Sequence, residues 1–177
     1  MSLIKTNVPI LGFAAYSGTG KTTLLINIIP ILKEQGYEVG VIKHAHHTFE
    51  IDTPGKDSYE IRKAGANQML IGSKQRWALM VEQDEEDAKT RLEEYIDQLD
   101  QDKLDLILVE GFKPEAIPKI ELHRPSLSQP LISSTDDSVI AIATDEPLQE
   151  KTSLPTLDLN DHRAIVDYII NNICKNK

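Results

Sequence analysis

Apolar positions along this chain follow two rhythms. Residues 8–14, 104–113 and 138–145 are continuous or nearly continuous apolar runs, as expected of strands buried on both faces of a parallel sheet. Residues 22–35 read instead as a helix that Gly36 stops, with Pro30 expected to kink it. Residues 37–43 return to strand, so the first forty or so positions form a strand–helix–strand unit with a right-handed crossover. A short helix is predicted over 59–64, capped by Asp57-Ser58 and closed by Gly65. Residues 67–72 and 77–81 read as two strands joined by only Ser73-Lys74-Gln75-Arg76, which suits an antiparallel hairpin added to the sheet. An acidic run from Glu82 to Asp87 is predicted to open a helix reaching Leu99, with Leu92, Tyr95, Ile96 and Leu99 on one face. Strands at 118–125 and 154–157 and a closing helix over 161–172 complete the pattern. The expected fold class is α/β: a P-loop NTPase-like three-layer fold, mostly parallel, with helices on both faces.

Chemistry concentrates where the first strand meets the first helix. Ser17-Gly18-Thr19-Gly20-Lys21-Thr22 follows the strand directly. A phosphate must exchange its water for many converging donors. Gly18 and Gly20 let the backbone curl so that N–H groups point inward, and the helix start adds its positive dipole end. Lys21 supplies a full charge, and the Thr22 hydroxyl suits Mg²⁺. The pattern departs from the P-loop consensus once, with Ala15 where a glycine is usual; alanine fits there if its φ is negative.

The second informative position is Glu110, at the end of the 104–113 run. Asp105, at the other end, lies about 16 Å away along an extended strand. Only the C-terminal end faces the P-loop, which makes Glu110 the candidate to hold a Mg²⁺-bound water or polarise an attacking one. Asp145 ends another buried strand on the same edge, where it either reads guanine donors or caps a turn. Lys119 and Arg124 are possible anion contacts, with a plain surface charge the other reading of Arg124. The loop from His44 to Ser58 leaves the second strand on this edge too. Its His44, His46 and His47, with Glu50 or Asp52, admit a metal reading; a nucleotide- or substrate-contacting loop and a solvated loop are the alternatives.

At 177 residues and 40% apolar composition the chain suits a single soluble domain. Its net charge of −9 argues against nucleic acid as a main partner and makes any phosphate site a local positive island. One cysteine, Cys174, precludes a disulfide framework. Apolar runs fall short of the ~18 residues that span a bilayer, and the start lacks a secretory h-region. No membrane association and a cytoplasmic location are therefore expected.

Taken together, Tyr16-Ser17-Gly18-Thr19-Gly20-Lys21-Thr22-Thr23, Ile42-Lys43-His44-Ala45-His46-His47, Asp52-Thr53-Pro54-Gly55-Lys56-Asp57-Ser58, Val109-Glu110-Gly111-Phe112-Lys113 and Pro118-Lys119-Ile120-Glu121 resemble the molybdopterin-guanine dinucleotide biosynthesis protein B (MobB) family. The resemblance spans about residues 9–168. It implies a GTP-binding, usually dimeric P-loop protein with at most slow hydrolysis. Such a protein assists a partner enzyme that joins GMP to molybdopterin. It further implies that Ser17 to Thr23 hold phosphates and Mg²⁺, and that Glu110 is the Walker B acid. Lys43, His44, His47, Asp52, Lys56 and Asp57 would face nucleotide or pterin, with Thr22, Asp52 and Glu110 as the metal set. A small-molecule kinase and a non-catalytic adapter with a vestigial P-loop are the competing functions.

Overall fold

The computed structural model describes residues 4–45, 49–83, 91–149 and 151–174. Two compact units are present: Met1–His44 with Leu92–Lys177, and Ala45–Arg91.

In the first unit, strands β1 (Ile10–Ala14), β2 (Val39–Lys43), β5 (Leu106–Glu110), β6 (Lys119–His123), β7 (Val139–Thr144) and β8 (Thr156–Asp158) form one sheet in the order β2-β5-β1-β6-β7-β8. Every pairing is parallel. Side chains alternate across it with period two. Leu11, Phe13, Leu106, Leu108, Ile120 and Leu122 enter one core with α1 (Lys21–Glu34) and α4 (His162–Asn172). Ile10, Ile107 and Val109 enter the other core with α3 (Leu92–Ile96). Because both faces are covered there, β1, β5 and β7 carry no polar alternation, and this is why they read as nearly unbroken apolar runs. Helices lie on both faces, as the pattern predicted.

Helix boundaries follow local chemistry. α1 ends at Glu34 with Gln35 as its C-cap, and Gly36 takes φ 82° to close it. Pro30 is accommodated inside it. α4 is capped by Asp161, whose carboxylate accepts from the Ala164 N–H at 3.0 Å. The helix expected from Glu82 departs from its prediction. Glu82 N–H still belongs to the hairpin, donating to Asn67 O at 2.9 Å, and its carboxylate is drawn to Arg62. Residues 84–90 lie outside the described residues, and the helical turn described is Leu92–Ile96.

The second unit holds α2 (Asp57–Lys63) and the antiparallel strands β3 (Gln68–Gly72) and β4 (Trp77–Val81). The hairpin is antiparallel as predicted but makes a two-stranded sheet of its own instead of extending the main one. Asp57 is the first residue of α2 and not its cap; it serves the helix through the dipole. Arg62 is buried and bonds three carboxylates, Glu50, Asp52 at 2.9 Å and Glu82 at 2.6 Å. Those bonds, Glu82's first, push its pKa further above the ordinary arginine value.

Lys119, considered above as an anion contact, is instead a core strut. It is 2% exposed, and its ammonium donates to Asp136 at 2.9 Å, Ser138 Oγ at 2.6 Å and the Glu115 carbonyl at 2.5 Å. Desolvation raises the Asp136 pKa, but hydrogen bonds from Ser138 and Lys119 outweigh it and hold the carboxyl below its usual value. A depressed carboxylate stabilises the fold above its unfolded pKa, and that contribution disappears as pH falls through the folded one. Asp136→Asn should therefore cost about 1–3 kcal/mol at pH 7, through the buried charge it leaves unpaired. The gap between variant and wild type should shrink as pH drops below about 4. Urea unfolding of both proteins at pH 7 and at acid pH measures it.

Candidate functional site

The turn between β1 and α1 takes, at two positions, a conformation that glycine alone adopts without strain. Gly18 and Gly20 stand at φ 81° and 107°, where an L side chain is strained. Thr19 is buried, and its hydroxyl donates to the Tyr16 carbonyl at 2.9 Å, stitching the loop across its base. Ala15 is 1% exposed and packs in the core with α1. Among the described residues only Ser128 has a positive φ without being glycine, so Ala15 keeps a negative one and the glycine departure costs the turn nothing. No side chain caps α1 and no acid occupies its first turn, so its first N–H groups face the loop with the dipole uncompensated. Ser17, Thr22 and Thr23 lie exposed there.

Two neighbouring strands deliver opposite charges to this turn. Lys43 and Glu110 are register partners at the C-terminal ends of β2 and β5. Their side chains pair at 3.1 Å. The other Glu110 oxygen lies 3.4 Å from the Thr22 hydroxyl, which donates to it, and Lys43 Nζ reaches the same hydroxyl at 3.5 Å. Glu110 is 8% exposed. The chain turns immediately after it: Gly111 adopts φ 100°, with the His44 backbone close enough that a Cβ would meet its carbonyl at 3.1 Å. His44 N–H donates to Glu110 O at 2.9 Å, and its ring tilts against Phe112. His44 thus braces the strand ends.

Lys21 folds its ammonium back onto the Ala15 carbonyl at 3.2 Å. Burial pushes its pKa down; Glu110 opposes this, while Lys113 and Lys43 add to it. Lys113 sits over the Tyr16 ring, 5.1 Å from its centroid. The site therefore gathers three lysines around one carboxylate in a chain of net charge −9, the positive island that the composition required. Lys113 escaped the reading of the sequence because nothing in its local spacing distinguishes it; only the turn at Gly111 brings it beside Tyr16.

Arg124 is not a loose surface charge. Its Nε donates to the Thr19 carbonyl at 2.9 Å and its guanidinium pairs with Asp145. It braces the P-loop from below. Asp145 does stand at the end of β7, with one oxygen on Arg124 and Oδ1 buried without a partner among the described residues. Asp52, expected at a metal, accepts from Arg62 in the second unit. Lys56 and Asp57 lie there also, at the start of α2. His46 and His47 fall outside the described residues. Among the described residues no group of three histidine, cysteine, aspartate or glutamate side chains is placed to hold a metal ion. Among the described residues no helix is long and apolar enough to cross a membrane.

A family model described as molybdopterin guanine dinucleotide synthesis protein B (MobB) matches residues 10–145. A molybdopterin-guanine dinucleotide biosynthesis adapter protein from Escherichia coli (strain K12) is 50% identical over 167 residues, 94% of each chain. One from Haemophilus influenzae is 42% identical over 168 residues, 95% of this chain and 91% of that one. The crystal structure of Bacillus subtilis MobB superposes with a TM-score of 0.71 at 26% identity, covering 93% of this chain and 98% of that one. A MobB homolog from Bacillus stearothermophilus, at 22% identity and TM-score 0.68 over 95% and 99% of the two chains, shares the fold. With a P-loop fold, matching motifs and this degree of identity along nearly its whole length, the chain belongs to the MobB family.

Proposed function

We propose that this chain binds GTP with Mg²⁺ at the β1–α1 turn and acts as an adapter in attaching GMP to molybdopterin, in the biosynthesis of the guanine dinucleotide form of the molybdenum cofactor. One observation carries the reading: an uncapped helix start, two left-handed glycines and three lysines converge where Thr22 meets Glu110. Gly18, Thr19, Gly20 and the first turn of α1 offer backbone N–H groups to the phosphates, with Ser17 and Thr23 flanking them. Lys21 exchanges the Ala15 carbonyl for phosphate oxygens. The hydroxyl of Thr22 and the carboxylate of Glu110, 3.4 Å apart, form a hard oxygen pair that suits Mg²⁺. When bound, the metal neutralises charge on the outer phosphates. Asp145, with a free buried oxygen, is the group on this edge suited to the donors of a guanine. Lys43 and His44, at the end of β2 beside Glu110, face nucleotide or pterin in this reading.

Slow turnover fits the same geometry. Arg124, beside the P-loop, is spent on Asp145 and the Thr19 carbonyl, so it does not serve as a cis arginine finger. Glu110 is the group left to orient water, and it is shared with Lys43. A carrier that presents nucleotide to a partner enzyme benefits from a triphosphate that outlasts the encounter.

A homodimer is part of this reading. Cross-strand pairs Gln68/Val81, Leu70/Leu79 and Gly72/Trp77 place Leu70, Leu79, Val81 and Trp77 on one face of the hairpin, all of them exposed. A two-stranded sheet is marginal alone, and an uncovered face of large apolar residues is the kind that a second copy covers.

Calorimetric titration should give micromolar GTP binding in Mg²⁺, weaker ATP binding, and loss of both in Lys21→Ala, with turnover below about one per second. Equal ATP affinity with brisk hydrolysis would contradict the adapter reading. Sedimentation should find a dimer that Trp77→Glu splits while leaving GTP binding in place; a wild-type monomer at all concentrations removes the dimer.

A further inference from the structure

The carboxylate and hydroxyl expected to receive a divalent cation already share a cation from the protein. Lys43 Nζ lies 3.1 Å from one oxygen of Glu110 and 3.5 Å from Thr22 Oγ1, while Thr22 Oγ1 lies 3.4 Å from the other oxygen of Glu110. The three groups form a closed triangle. This is not an accident of one long flexible side chain. Lys43 and Glu110 are paired in register on adjacent parallel strands, so their side chains leave the sheet together. The strand ends are clasped by His44 N–H on the Glu110 carbonyl and by the tight approach of Gly111 to His44.

From this arrangement we infer that Lys43 is a resident counter-cation of the metal position, which a divalent ion must displace from Glu110 in order to bind. The inference rests on the reading of Thr22 and Glu110 as the metal pair of a triphosphate site. An ammonium and a hexacoordinate divalent ion compete for the same oxygens, and two cations a few ångströms apart repel. The lysine side chain is 54% exposed, so the pair with Glu110 is weak and the ammonium is free to swing outward. Released, it remains within reach of the outer phosphates. Two consequences with opposite signs follow. In the absence of metal Lys43 screens Glu110 from the triphosphate, keeping a carboxylate from facing like charge. In the presence of metal it raises the concentration of divalent ion needed to occupy the site. The chain is thereby fitted to bind nucleotide before metal, and to tie metal occupancy to the position of one lysine.

The test uses the full chain, Mn²⁺ as the probe and GTP as the nucleotide, with free Mn²⁺ read by electron paramagnetic resonance. Wild type is compared with Lys43→Met and Lys43→Gln, two neutral replacements at an exposed position, each checked for a native unfolding transition. Both variants should reach half-occupancy at about three- to ten-fold lower Mn²⁺ than wild type. Both should also bind GTP several-fold more weakly in chelator. That crossing of effects is the signature, since mere damage to the fold would weaken metal and nucleotide together. An unchanged or raised Mn²⁺ midpoint in folded variants that still bind GTP overturns the inference alone. Absence of GTP binding by wild type, with or without Mn²⁺, overturns it together with the triphosphate reading.

Discussion

A single electrostatic constraint organises this molecule: a carboxylate must be held beside the anion-binding end of a helix without repelling the anion. Glu110 stands at the end of β5, the strand between β2 and β1, and so opposes the start of α1. Left bare, it would cancel the helix dipole and the charge of Lys21. Lys43 on one side, Lys21 on the other and Lys113 beyond the Gly111 turn leave the local balance positive. The strand order, the two left-handed glycines of the P-loop and the left-handed Gly111 all serve that juxtaposition. Each removes a freedom that would let the carboxylate and the helix start drift apart.

The supports beneath this arrangement are polar side chains paired within the fold. Arg124 ties the Thr19 carbonyl to Asp145 at the end of β7, so two strand edges hold the P-loop from below. Glu121, wholly buried in β6, accepts from the N–H groups of Ile132 and Ser133 and fixes the turn that follows. Lys119 does the same at the other end of that strand through Asp136 and Ser138. Buried polar groups satisfied in this way add rigidity where an unpaired one would subtract stability.

Much of this was legible in the residue pattern, for definite reasons. Buried parallel strands announce themselves because both faces are covered, and the short polar link before Trp77–Val81 marked where that strand begins. The P-loop and Glu110 were legible because strand-to-helix turns carry their chemistry in adjacent positions. What escaped depended on residues far apart in the chain. Arg124 finds Thr19 across 105 positions, and Arg62 draws Glu50, Asp52 and Glu82 from separate segments. A lysine on a strand reads as an anion contact until the Asp136 beside it is known. The helix start predicted at Glu82 is absent for a related reason: local acidity favours a helix start, but a cross-strand hydrogen bond and a distant arginine claimed that residue first.

The most direct test of the account is a crystal structure of the full chain with a non-hydrolysable GTP analogue and Mg²⁺. The account predicts phosphates in the N–H groups of Gly18 to Thr22, the Lys21 ammonium moved from the Ala15 carbonyl onto them, and the metal between Thr22 and Glu110. Nucleotide bound elsewhere, or a metal that leaves Glu110 untouched, would contradict it.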